Sequence, residues 1–272
     1  MNLQLQTIAM SVALLLTLRF STVASPTQLS DARVTAVSKN VTVVSPQSQP
    51  RPARLNDGVE DNAIVRTGDQ SRAELTFADQ SVARVWARTI INLRDGARNL
   101  YLQDGAMFLQ VPRGTVFTTI RAADVAAEVS GASVVFQCHP NVFKFLVLEG
   151  TARLYRPDQV GESVLVSAGQ LVFGNPKAAL SDPVDFDIGH FLKTSRFITD
   201  FAPLRRTASI ASEIQKQQNE KSDKTLIETN LVMYGGGTAV SVSGPEKTDT
   251  RNRARAKSPT PTPILGLVNR SR

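Results

Sequence analysis

The sequence predicts an all-β domain between about residues 55 and 175, and three observations predict it. Apolar and polar residues alternate with the two-residue period of a strand over Arg72–Phe77, which puts Ala73, Leu75 and Phe77 on one face. Short strand-like runs then recur between turn dipeptides, with a turn about every eight to twelve residues. No helical period competes with them across this stretch. Such spacing marks a sandwich, a barrel or a solenoid, and periodicity alone does not choose among the three.

The elements follow in order. Arg33–Val44 has β-branched strand chemistry, and the proline-rich run Ser45–Pro52 reads as a linker because proline removes donors and fixes extended geometry. After Arg72–Phe77 come the Asp79-Gln80 turn, a strand over Val82–Trp86, and Thr89–Leu93 ending at Asp95-Gly96. Leu100–Leu102 leads into Asp104-Gly105, and Ala106–Val111 stops at Pro112. Val116–Ile120 and Val125–Val129 precede Gly131 and the run Val134–Gln137. Phe143–Leu148 meets Glu149-Gly150, followed by Ala152–Tyr155, Ser163–Ser167, the Gly169-Gln170 turn and Leu171–Phe173. Asp104-Gly105 and Glu149-Gly150 share a form: the acid can bond nearby amides and the glycine can take positive φ. Beyond the β region, Asp182–Asp187 can cap a short helix whose Phe186, Phe191 and Leu192 pack back on the domain. Thr207–Lys216 can form a second helix, and no stable fold is expected from Gln217 onward.

At the amino end, Ile8–Leu18 is an apolar run of about eleven residues, short of the roughly twenty that span a bilayer. With the small residues of Ser21–Ser25 after it, the run reads as a secretory signal, although no Lys or Arg precedes it. The formal charge of +7 gathers in the tail, where Lys247, Arg251, Arg253, Arg255, Lys257, Arg270 and Arg272 face only Glu246 and Asp249. Charge of this kind does not by itself select nucleic acid, anionic lipid or acidic polymer, and nucleic acid is not the expected partner. The expected organisation is a signal over 1–25, an extended linker with a strand over 26–54, and the β domain over 55–175. A short helical packing segment over 176–204 and a basic, mostly disordered tail over 205–272 complete it.

Little in the chain points to catalysis. The single cysteine, Cys138, excludes an intramolecular disulfide and reads as a buried small hydrophobe. The two histidines, His139 and His190, have no metal-ligand spacing, and no G-x-S-x-G element supports a hydrolase. Asp79, Asp104 and Glu149 would gather into a Ca²⁺ site only if successive turns stacked in line; independent turn-forming acids are the simpler reading. Trp86, Tyr101 and Tyr155 are the candidate partner-binding residues, set against the usual fate of a strand aromatic, which is burial. No cofactor or metal is expected.

The ordered set of turns and strands resembles the FecR domain. Val65–Ser81 is similar to that family's opening R-T-G, S-R-A-E-L and D-G-S segments, with Gln80 where the turn glycine usually stands. Leu102–Val111, Val129–Phe136 (with Ala132 for the usual threonine), Phe145–Leu154 and Val166–Gln170 resemble its later elements in order. On this resemblance Gly68, Asp79, Asp104, Gly105, Gly131, Glu149, Gly150 and Gly169 are structural turn residues, and the fold is a right-handed β-solenoid or β-roll outside the cytoplasm. FecR regulators also carry an anti-sigma segment, a membrane helix and a receptor-contacting module; none is recognisable here, so their regulatory role is not carried over. The expectation is a non-enzymatic periplasmic or secreted protein that binds or senses an unknown envelope protein or polymer, with no membrane anchor. Two alternatives stand beside it: an adaptor acting through the basic tail, and an envelope hydrolase.

Overall fold

The computed structural model describes residues 32–96, 98–204 and 207–222, together with the paired segments 230–233 and 240–243. The predicted signal and most of the basic tail lie outside these residues. The first strands are β1 (Ala32–Ser38), β2 (Val41–Val44), β3 (Arg51–Pro52), β4 (Gly58–Val59), β5 (Ile64–Thr67), β6 (Arg72–Phe77), β7 (Val82–Val85) and β8 (Ile90–Arg94). The long β9 (Asn99–Gln110) is followed by β10 (Thr118–Ala122), β11 (Val125–Val129), β12 (Ser133–His139) and β13 (Val142–Glu149). Next come β14 (Thr151–Tyr155), β15 (Ser163–Ser167), β16 (Gln170–Gly174) and β17 (Val184–Asp185). Helices α1 (Ile188–Thr194), α2 (Arg196–Thr199) and α3 (Ala208–Ser222) succeed them, and β18 (Asn230–Met233) pairs with β19 (Val240–Ser243). The fold is mostly β, as the alternation predicts.

The strands form two sheets that share β9. Sheet A runs β4-β1-β6-β7-β9-β12-β13-β16-β17. Sheet B runs β3-β2-β5-β8-β9-β10-β11-β14-β15. Neither sheet closes on itself. All these pairings are antiparallel except β9 with β10, so the parallel stacking of successive coils in a solenoid is confined to that one pair. Parts of the predicted proline-rich linker are recruited: Arg51 and Pro52 pair with Val43 and Thr42 at the edge of sheet B.

One core lies between the sheets. Leu75, Val85, Met107, Leu109, Phe136 and Phe145 enter it from sheet A; Val65, Ile91, Leu100, Ile120, Val129 and Leu154 enter it from sheet B. Sheet A is buried on its other face as well, where Phe108, Val135, Leu146 and Leu171 form a row across neighbouring strands. Phe186, Ile188, Phe197, Leu204 and Ile210 from the helical segment cover that row. Burial on both faces explains why Phe143–Leu148 reads as a nearly continuous apolar run. The helix α3 extends to Ser222, past Gln217 where the composition predicted that stable structure ends. Tertiary anchors account for the extension. The buried Gln217 amide accepts from Ile188 N (3.1 Å) and donates to Phe186 O (2.6 Å), and Lys221 pairs with Asp187 at 2.7 Å.

The crossing of β9 from one sheet to the other turns at Gly105. Asp104 pairs with Ile90 in sheet B, and Gly105 pairs with Cys138 in sheet A. The glycine holds φ at +97°, and an added Cβ would lie 2.2 Å from Thr89 Oγ1 and 2.6 Å from Thr89 Cα. Backbone conformation and backbone contact both exclude a side chain there. The substitution Gly105→Ala is expected to destabilise the protein by about 3 kcal/mol or more in urea unfolding. Gly114→Ala, at φ +80° with nothing within 4 Å of the new Cβ, meets only the conformational penalty, about 1–2 kcal/mol.

Candidate functional site

Strand alternation divides sheet B into an apolar inner face and a polar outer one, and strand register arranges the outer residues into rows. One row runs Ile64, Asn92, Tyr101, Arg121, Ala126, Tyr155 and Ser163 across seven consecutive strands. The next runs Arg94, Asn99, Thr119, Glu128, Arg153 and Leu165. Arg66 of β5 adds a further cation beside the first row. Within β5, β8, β9, β10, β11 and β14 the outer face thus carries Arg66, Arg94, Arg121 and Arg153 against Glu128 and, at the bend of β9, Asp104, which is held by His139.

Tyrosine rings lie against three of these arginines. The Arg94 guanidinium carbon lies 4.5 Å from the Tyr101 ring centre, and that of Arg121 lies 5.9 Å from the same ring. Arg153 lies 5.6 Å from the centre of the Tyr155 ring and 3.9 Å from Glu128 Oε2. Ala126, between Arg121 and Tyr155 in the row, is fully buried. Two buried polar atoms beside Tyr101, Asn92 Oδ1 and Arg121 Nε, have no hydrogen-bond partner within the protein. A ribbon of stacked guanidinium and phenol groups of this kind suits an anionic partner, because guanidinium groups bond carboxylates, phosphates or sulfates bidentately.

The FecR protein family profile matches residues 63–153. The chain carries a FecR domain. The matched span runs from just before β5 into β14 and contains most of the arginine–tyrosine face. Two crystal structures from Parabacteroides distasonis ATCC 8503, each of a protein described as a "putative anti-sigma factor", are similar to the chain. One is 14% identical, covers 57% of this chain and 74% of its own, and has a TM-score of 0.42. The other is 10% identical, covers 66% and 97%, and has a TM-score of 0.39. No curated protein matches the chain.

Within and beside the FecR domain the predicted residues separate. Tyr101 and Tyr155 lie in one row of the exposed face, three strands apart. Trp86 is on the opposite side of the molecule, beneath the helical segment. Its ring lies 5.8 Å from Phe197 and 6.5 Å from Phe201, with the Arg196 guanidinium 4.9 Å above it. The three aromatics therefore do not form one surface. The arginines of sheet B were the residues that sequence reasoning missed. Their alternation with core residues is visible in Asn92-Leu93-Arg94 and Ala152-Arg153-Leu154, but the strand order that aligns them is not.

The turn acids are satisfied separately. Asp79 accepts from Ser81 N and Oγ (both 2.9 Å) and from Arg98 (3.1 Å), while Glu149 accepts from Ser133 Oγ (3.0 Å). Asp104 Oδ1 lies 2.8 Å from His139 Nδ1. No group of three or more His, Cys, Asp or Glu side chains among the described residues could hold a metal ion. Asp104-Gly105 and Glu149-Gly150 occupy equivalent places in the fold: both mark points where the chain passes from one sheet to the other. Gly131 and Gly150 both have positive φ beside one another at such a corner, and Gly68 accepts from Ser71 N and Arg88 N in the turn after β5. At Gly169 a Cβ would meet the buried Gln217 amide at 2.7 Å, so this turn is where α3 docks. Burial, with a smaller contribution from the Asp104 carboxylate, pushes the Cys138 thiol up to about 11, which makes it inert at neutral pH.

Gln80 occupies the left-handed region at φ +68°, the position that the FecR pattern usually gives to glycine. The substitution Gln80→Gly relieves that strain and is expected to raise stability by roughly 0.5–1 kcal/mol, read from the midpoint of urea unfolding.

Proposed function

We propose that this chain is an exported, non-enzymatic FecR-domain protein that binds or senses an anionic partner in the cell envelope. The observation that carries this reading is the asymmetry of the two sheets. Sheet A is covered on its outer face by the helical segment, whereas sheet B presents Arg66, Arg94, Arg121 and Arg153, with Tyr101 and Tyr155, uncovered by any described element. The apolar run Ile8–Leu18 and the small residues after it support export. The described helices include none long and apolar enough to cross a membrane. Strand pairing fixes the spacing of these side chains, so that recognition depends on that spacing rather than on loop ordering.

A photo-crosslinking residue at position 103, whose native Gln103 is exposed on the outer face of β9, tests the reading in intact cells. The paired charge reversals Arg121→Glu and Arg153→Glu are expected to weaken partner capture by roughly tenfold, about 1.4 kcal/mol, and added salt acts in the same direction. Truncation after Ser222 leaves capture intact. Capture that survives both reversals but is lost on truncation assigns recognition to the basic tail and refutes the proposal. A reporter fused to residues 1–25 that stays in the cytoplasm refutes the export.

A further inference from the structure

The sheets have four edges among the described residues, and three are guarded. Strands β3, β4 and β17 are two residues long, and β3 contains Pro52. The fourth edge, β15, is five residues long and has neither charge nor proline, the features that ordinarily protect an edge. Its sequence, Ser163-Val164-Leu165-Val166-Ser167, reads the same in both directions. Side chains alternate along it: Val166 is buried and Val164 packs on the core, while Leu165 on the outer face is 64% exposed.

The hydrogen-bond phase of this edge follows from its ends. Ala168 N donates to Gly150 O (2.9 Å) and Arg156 N donates to Glu162 O (3.2 Å), so the even-numbered residues of this strand bond to β14. In an antiparallel ladder bonded and non-bonded pairs alternate, which turns the backbone groups of Ser163, Leu165 and Ser167 toward the free edge. The position of Ser167 agrees, since its N–H reaches outward to Gln170 Oε1 at 3.0 Å.

We propose that β15 pairs with β15 of a second copy of this chain, antiparallel and centred on Leu165, to form a two-fold dimer with a continuous sheet B. Because the outward groups fall on Leu165, a two-fold axis through that residue closes the ladder in phase: Leu165 meets Leu165, Val164 meets Val166, and Ser163 meets Ser167. The exposed leucines pack on each other at the axis, and the valines extend the core across it. No charged strand residue meets a like charge. The pairing is isologous and closes at two, leaving the guarded β3 at each outer end. A five-residue edge gives a small interface, so association is reversible and concentration-dependent.

The test uses the full chain. Leu165→Cys places one reactive thiol at the axis while the buried Cys138 stays silent, and a short bis-maleimide is expected to give at least about fivefold more covalent dimer than Leu55→Cys, since paired residues in a ladder are close. Leu55 is similarly exposed, at 59%, but lies away from the edge. In sedimentation velocity the native protein shifts toward dimer as concentration rises. Leu165→Lys weakens that association by more than about tenfold with an unchanged far-ultraviolet spectrum. A protein that stays monomeric without crosslinking, or a dimer that survives Leu165→Lys, overturns the proposal.

Discussion

The bend of β9 at Gly105 is the constraint on which the rest of the structure depends. Its first half pairs with β8 and β10 in sheet B, and its second half pairs with β7 and β12 in sheet A. Both sheets take their register from this one strand. Buried hydroxyls hold the corner: Ala106 N donates to Thr89 Oγ1 at 2.9 Å, Thr89 N donates to Thr67 Oγ1 at 3.0 Å, and the Thr67 hydroxyl donates to Trp86 O. The chain can approach Thr89 so closely only because position 105 has no side chain. The row that contains Tyr101 and Arg121 crosses β9 four residues before the bend, so the spacing of the candidate site is inherited from it.

A second interaction decides which face remains available. Arg84, 1% exposed, sits on the outer face of sheet A opposite Glu74 and Phe108. Its Nε donates to Glu74 at 2.9 Å, and its two terminal nitrogens donate to Phe197 O (2.9 Å) and Ala202 O (2.6 Å). Burial lowers its pKa while Glu74 opposes the shift, and the guanidinium stays charged because two carbonyls and a carboxylate replace its water. This clamp ties the helical segment down over sheet A. Phe201, whose ring centre is 4.8 Å from the guanidinium, and Trp86 close the contact. With sheet A covered, the outward-facing chemistry of the β body is concentrated on sheet B.

Much of this was legible in the residues. The strict alternation of Arg72–Phe77 appears as β6 with every other residue buried, and the predicted strands from Val82 to Phe173 appear near their expected places. The turn dipeptides Asp104-Gly105 and Glu149-Gly150 were recognisable because acid and glycine serve local geometry. Their shared role as inter-sheet corners was not, because a turn signal does not say whether the chain folds back in the same sheet or crosses to another. The grouping of Trp86 with Tyr101 and Tyr155 failed for a related reason. Alternation separates inner from outer residues but does not distinguish the outer face of one sheet from that of the other.

The all-β class, the strand chemistry, the FecR resemblance and the burial of Cys138 were already legible in the residues, since these rest on local propensity and on short apolar runs. Tertiary structure alone decided the sharing of β9, the covered and open sheet faces, the alignment of four arginines with two tyrosines, and the exposure of the palindromic β15. Each of those depends on which distant strands pair and in what register. Pairing reflects packing summed over the whole core, and no window of sequence contains that sum.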